Sequence, residues 1–272
     1  MLFSMRTDIQ SVKQLLAEAG RTPNKALGQN FFIDGPRLAE LAAAMDVDGR
    51  YVLEIGAGLG ALTELLLPRA ETVCAAEKDS VLCGILEQWQ QPRLRVLCGD
   101  CLTQDYSFLP PDFVAVGNLP YYITTAISEM LLLLQPREIT LMMQKEAGAR
   151  FFAAPSDKNY GAVAILSQLY YDLSLLDEIP ESCYWPQPNV RSCMVQLHRK
   201  AAPPTLAPDA LLPFIRRCLH MRRKTLLNNL KDIGTAPAAL QALNLSPAIR
   251  GEALSPAQFA ALFVACGGDT FR

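Results

Sequence analysis

Histidine is scarce in this chain: His198 and His220 are the only two. That argues against a histidine-rich zinc centre and leaves little histidine for acid–base work. The eight cysteines are scattered, and only Cys98-Gly99-Asp100-Cys101 has metal or redox spacing, with no second pair after it. Free cysteines behave as small buried hydrophobes, so these read as packing beside a strand end and no metal is expected. Thiols without a disulfide pattern point to a reducing, cytoplasmic setting. A basic excess is also missing, since 25 Lys and Arg against 27 Asp and Glu leave a net charge of −2. A nucleic-acid partner must therefore be held by local clusters rather than by the whole surface. The longest aliphatic run, Met130–Leu134, is far too short to cross a bilayer. Met1–Asp8 lacks a basic stretch leading into an apolar one, so neither a signal peptide nor a membrane partner is expected.

What is present is an ordinary globular balance: of 272 residues, 50% are hydrophobic and 19% charged. That length suits one sizeable domain and a smaller second one. Ile9, Val12, Leu15, Leu16 and Ala19 share one helical face, which predicts a helix over 7–19 packed against the main domain. A loop over 24–32 and a helix over 36–45 follow. From Tyr51 strands and helices alternate: strands over 51–55, 72–76, 94–98, 113–116 and 139–143, helices over 61–67, 80–89 and 124–134. Repeated βα units imply a doubly wound, mostly parallel sheet. A helix over 160–170 precedes two late strands, 173–176 and 193–197, which suit an antiparallel edge. Ala201–Pro208 reads as a linker. The expected organisation is therefore an α/β domain over 1–200, with residues 1–23 as a helical extension, and a small all-helical domain over 201–272.

Asn118-Leu119-Pro120-Tyr121 follows an apolar strand, at the end where open α/β sheets bind ligands. The Asn118 amide and the Leu119 carbonyl offer two acceptors, Pro120 adds no donor, and Tyr121 adds a flat face. Together they suit an exocyclic amino group on a nucleobase. Upstream, Glu54-Ile55-Gly56-Ala57-Gly58-Leu59-Gly60 sits at the first strand-to-helix turn, and Glu77 ends the second strand, spaced to grip ribose hydroxyls. Gly56-x-Gly58-x-x-Ala61 also satisfies a dinucleotide fingerprint. Two features favour S-adenosylmethionine instead. Glu54 would repel a pyrophosphate but attract an ammonium. Asp100, after the third strand, can accept a hydrogen bond from an adenine amino group.

This combination resembles the ribosomal RNA adenine N6,N6-dimethyltransferases. The resemblance rests on Gly28-Gln29-Asn30-Phe31-Phe32, Glu54–Gly60, Glu77, Asp100, Gly117–Tyr121, Met143–Glu146, Pro186–Ser192 and Arg222-Arg223-Lys224-Thr225-Leu226, and spans about residues 24 to 231. It implies a Rossmann-like S-adenosylmethionine-dependent methyltransferase domain with a helical RNA-binding domain after it. Asn118, Leu119, Pro120 and Tyr121 would be catalytic. Gln29, Asn30, Phe32, Gly56, Gly58, Glu77, Asp100 and Asn118 would hold the cofactor, and Tyr121 and Tyr184 would stack on the target base. Arg222, Arg223 and Lys224 would meet RNA phosphates. The substrate implied is 16S ribosomal RNA, naked or in a pre-30S particle, and the enzyme is expected to act as a monomer. Leu119 and the Arg222–Leu226 segment favour the small-subunit enzymes over the 23S methyltransferases that confer macrolide resistance. A non-catalytic assembly or transcription factor is the alternative of another class. Three departures stand out: Phe32 where Leu is common, Tyr184 where Phe is usual, and Arg191 in place of a usual Asp.

Overall fold

The computed structural model describes residues 6–24 and 27–268. Residues 1–5, which carry most of the leader reading, lie outside the described residues, as do Lys25 and Ala26 of the first loop and the last four residues. The chain forms two compact units. The first comprises the chain up to Leu131, Gln135–Gly148 and Ser174–Leu197, and the second comprises Leu132–Leu134, Ala149–Leu173 and the chain from His198 onward.

The first unit is built on a seven-stranded sheet. In chain order its elements begin with α1 (Ile9–Glu18), β1 (Phe31–Phe32), α2 (Gly35–Ala43), β2 (Tyr51–Ile55), α3 (Ala61–Leu66), β3 (Thr72–Glu77), α4 (Ser80–Glu87) and β4 (Leu94–Cys98). There follow β5 (Val114–Asn118), α5 (Thr124–Leu134), β6 (Glu138–Gln144), α6 (Lys145–Gly148), then, after α7 (Ala162–Tyr170) of the second unit, β7 (Tyr171–Ile179), β8 (Tyr184–Trp185) and β9 (Ser192–Arg199). The strand order is β4-β3-β2-β5-β6-β9-β7, and the first five strands pair in parallel. Lys145 N donates to Arg191 O at 3.0 Å, so the end of β6 lies beside the start of β9; Lys200 N donates to Tyr170 O at 2.9 Å, so the end of β9 lies beside the start of β7. The expected antiparallel edge is thus present, with β9 reversed one place in from the rim.

Apolar residues of β2, β3 and β5 pack with α2 and α3 in one core that includes Leu38, Val52, Leu66, Val73 and Val116. The predicted first helix does pack on the main domain: Val12 and Leu16 share a buried cluster with Phe31, Leu59 and Leu82. Asp8 caps that helix by accepting from the Gln10 and Ser11 amides. A second, two-stranded sheet pairs Phe31 with Trp185 and Phe32 with Tyr184. No periodicity announces strands of two residues, and their partners lie too far apart in the chain for a local signal.

The second unit is helical apart from the strand ends it takes in. Besides α7 it contains α8 (Pro208–Leu219), α9 (Leu226–Asn229), α10 (Ala236–Ala242) and α11 (Pro256–Ala265). α7 packs on α8 and α11, and Tyr160 Oη donates to Leu254 O at 2.7 Å. Residues 149–173 precede the Ala201–Pro208 linker, which is why sequence groups them with the first domain. By packing they belong with the helices beyond it.

Candidate active site

β5 runs through Asn118, further than the apolar pattern alone indicates. Leu119 N still donates to Met142 O of β6 at 2.9 Å. Pro120 has no N–H to continue the ladder, and the chain turns into α5. Leu119 is buried, while Asn118 and Tyr121 are half-buried. The neighbouring Gly117 is obligatory for close packing, since a Cβ there would lie 2.6 Å from Ile55 O of β2.

The glycine turn after β2 approaches this tetrapeptide. Gly56 has φ +75°, and a Cβ on it would stand 3.5 Å from Asn118 O and 3.6 Å from Pro120 Cδ. Gly58 N donates to Glu77 Oε2 and Asp79 N to Glu77 Oε1, both at 2.8 Å. Each oxygen of Glu77 keeps a lone pair for a further donor. Burial pushes the Glu77 carboxyl up, opposed by the backbone amides it accepts from. Glu54 is fully buried and accepts from Thr63 Oγ1 at 2.6 Å. Burial raises its pKa to about 7, so the expected fixed negative charge is a carboxyl poised to ionise. Asp100 accepts from Lys78 Nζ at 2.9 Å and from Leu102 N at 3.0 Å, and the Lys78 bond holds it below the usual carboxylate range.

The first loop closes the same cleft. Gln29 Oε1 accepts from Asn24 N at 2.9 Å and its Nε2 reaches Asp79 Oδ2 at 3.4 Å, while Asn30 Nδ2 donates to Gly28 O at 3.1 Å. Phe32 is buried and forms part of the inner wall. Gln29, Asn30, Phe32, Gly56, Gly58, Glu77, Asp100 and Asn118–Tyr121 all line one cleft at the carboxyl ends of β2, β3, β4 and β5. The structure therefore gathers every residue expected at the cofactor and the amino group.

Tyr184 is a correction. Its ring is 2% exposed and packs edge-on against Phe32 with centroids 4.9 Å apart, so it offers no face to a base. Tyr122, by contrast, is 54% exposed and stands at the cleft. A Cβ on Gly28 would meet its Cδ1 at 3.2 Å. Adjacency to Tyr121 was the available signal for it. Arg6 was missed as well: its Nη1 donates to Leu59 O at 2.5 Å, and its guanidinium lies 4.2 Å from the Trp89 ring centroid. No motif marks it.

In the second unit Arg222 is committed to structure. Its Nε donates to Glu252 at 2.8 Å, its Nη1 to Lys158 O at 3.1 Å and its Nη2 to Asp157 O at 3.0 Å. Arg223 and Lys224 are exposed.

Residues 20–265 match the family model described as ribosomal RNA adenine dimethylase. The chain belongs to that family. The dimethylase is 37% identical to the ribosomal RNA small subunit methyltransferase A of Geobacillus thermodenitrificans (strain NG80-2), over 92% of this chain and 93% of the relative. It is 38% identical to the protein of the same name from Deinococcus radiodurans, over 89% and 85%. Among solved structures, a dimethyladenosine transferase from Plasmodium falciparum superposes with TM-score 0.71 at 24% identity, covering 85% of this chain and 96% of that one. A 23S rRNA methyltransferase superposes with TM-score 0.61 at 24% identity, covering 87% and 99%. These two establish the shared fold.

The dimethylase depends on S-adenosylmethionine, and the cleft has the acceptors for that group. Glu54 can face an ammonium, Glu77 a ribose diol and Asp100 an amino group, with a glycine turn that brings backbone close between them. Among the described residues no cluster of His, Cys, Asp and Glu is arranged to hold a metal ion, and no helix is long and apolar enough to cross a membrane.

Proposed function

We propose that this dimethylase transfers methyl groups to N6 of adenines in small-subunit (16S) ribosomal RNA during ribosome assembly, forming N6,N6-dimethyladenosine. The observation that carries the reading is that Asn118–Tyr121 opens onto the same cleft as Glu54, Glu77 and Asp100. The choice of the small subunit is supported by relatives of that name, 36–38% identical over most of the chain, and by Leu119 and Arg222–Leu226. Gln29, Asn30, Phe32, Gly56, Gly58, Glu77, Asp100 and Asn118 hold the cofactor, which supplies an electrophilic methyl on a sulfonium.

Adenine N6 is a poor nucleophile because its lone pair is delocalised into the ring. The Asn118 amide oxygen and the Leu119 carbonyl accept its two N–H bonds and favour a pyramidal nitrogen, and Tyr121 stacks on the ring. Holding the two reactants in line is worth on the order of 7–11 kcal/mol of the barrier. Taking the base out of its stack costs a few kcal/mol, of which stacking on Tyr121 returns ~1–3. Each methylation leaves the nitrogen cationic until it sheds a proton to water; after the first a single N–H remains, so one acceptor is released and the pocket must take a methyl before the second. Exposed Arg223 and Lys224 track RNA phosphates. Action as a monomer remains part of this reading, and the eight thiols, all free, support a cytoplasmic setting.

Labelled S-adenosylmethionine with immature small subunits, and separately with 23S RNA and duplex DNA, tests the reading by nucleoside analysis. Dimethyladenosine from the small subunit alone is the expected result. Label only in 23S RNA or DNA, or none anywhere, overturns it. Asn118→Ala should weaken cofactor binding by calorimetry no more than the loss of one hydrogen bond does, and lose most transfer, on the order of 100-fold for a lost positioning contact; transfer at the wild-type rate would remove Asn118 from the mechanism.

A further inference from the structure

Ser192 opens β9 and is completely buried. Its hydroxyl lies 2.9 Å from Tyr121 Oη, a bond that joins chain positions 71 residues apart. The buried phenol of Tyr184 faces the same hydroxyl without hydrogen-bond geometry. The mechanism above uses the face of the Tyr121 ring but none of these hydroxyls. Backbone bonds and Pro120 place the Cα of Tyr121, yet two side-chain torsions remain to set the plane of its ring. A hydrogen bond at Oη anchors the far end of the ring and so fixes the first torsion; Oη lies on the axis of the second, which the bond sets only through the preference of a phenolic O–H for the plane of its ring. The plane of a stacked base follows the ring beneath it, and so does the direction of its exocyclic amino group. Small errors in such directions carry large losses of rate.

We infer that Ser192 is a positioning residue for methyl transfer, anchoring the far end of the Tyr121 ring through its hydroxyl and biasing the ring plane, and thereby aiming the amino group of the target adenine. This rests on the reading of Tyr121 as the platform for the base. Ser192 touches neither cofactor nor base, so its loss acts on the transfer rate and leaves the cofactor affinity alone. Burial raises the Tyr121 phenol, with the Ser192 bond opposing the rise; the phenol stays protonated and can donate to Ser192.

The test is a double-mutant cycle on immature small subunits with saturating labelled S-adenosylmethionine, using Ser192→Ala, Tyr121→Phe and the pair together. Cofactor Kd is followed by calorimetry and folding by thermal melting. Each single variant should lower kcat about 5–10-fold, the worth of one neutral hydrogen bond. Cofactor Kd should stay within about twofold, and the double variant should fall no further than the worse single one. Ser192→Cys keeps the side chain small with a weaker hydrogen bond, and it carries the cycle if the alanine variant does not fold. Losses that multiply in the double variant, or an unchanged kcat in Ser192→Ala, would overturn the role of Ser192 while leaving the proposed function standing. Absence of transfer by the wild type would overturn the function and this role with it.

Discussion

Glu54 shows how one residue changes meaning with burial. As a letter before a glycine run it is a negative charge; inside the protein it is fully buried with its pKa raised from 4.5 to about 7. The sign follows from linkage. The folded state binds this proton more tightly than the unfolded chain, so Glu54 favours folding most below its ordinary value, and that advantage is lost as pH rises through about 7. A bound ammonium stabilises the ionised form and releases the proton. Affinity for S-adenosylmethionine should therefore rise with pH between about 5 and 7, by up to tenfold per unit, with proton release on binding. Calorimetry in buffers of different ionisation enthalpy measures both. Glu54→Gln should bind more weakly and with a flatter pH profile; a profile as steep as the wild type's would assign the titration elsewhere.

The element that matters most is the end of β5, held between β2 and β6. Gly117 lets β5 approach β2 so closely that a methyl group would strike Ile55 O at 2.6 Å. Gly117→Ala must displace one of two buried strands, and a loss of about 1–3 kcal/mol is expected in denaturant unfolding, the range for overpacking a filled core. The same displacement moves Asn118, so transfer should fall with stability. A fully stable Ala variant would show that the strands can separate without strain. The small β1–β8 sheet does comparable work on the cofactor side. It fixes the loop carrying Gln29 and Asn30 to the segment that leads to Ser192.

At the scale of the whole molecule the basic cluster separates into two kinds of residue. Arg222 is tied to Glu252 and to two backbone carbonyls, whereas Arg223 and Lys224 are exposed. Arg222→Ala should lower stability by about 1–2 kcal/mol, because a charged donor leaves partly buried acceptors behind. Replacing Arg223 and Lys224 together should leave the melting temperature in place and reduce the salt slope of RNA binding by about 0.7–0.9 per charge removed. An unchanged slope would take these residues out of the RNA interface. A slightly acidic chain can thus bind RNA only through local patches.

The sequence by itself determined the alternation of strands and helices, the glycine turn, the acidic residues at three strand ends and the Asn118–Tyr121 tetrapeptide. Each is a local signal, carried by hydrophobic period, turn chemistry or a motif of contiguous residues. Only the tertiary structure decided what depends on partners far along the chain. It buried Tyr184 against Phe32, set Tyr122 at the cleft, brought Arg6 to Leu59, tied Arg222 to carbonyl groups and placed Ser192 at the Tyr121 hydroxyl. Burial and hydrogen-bond partners are properties of the packed chain, and they separate residues that act on a substrate from residues of the same type that hold the fold.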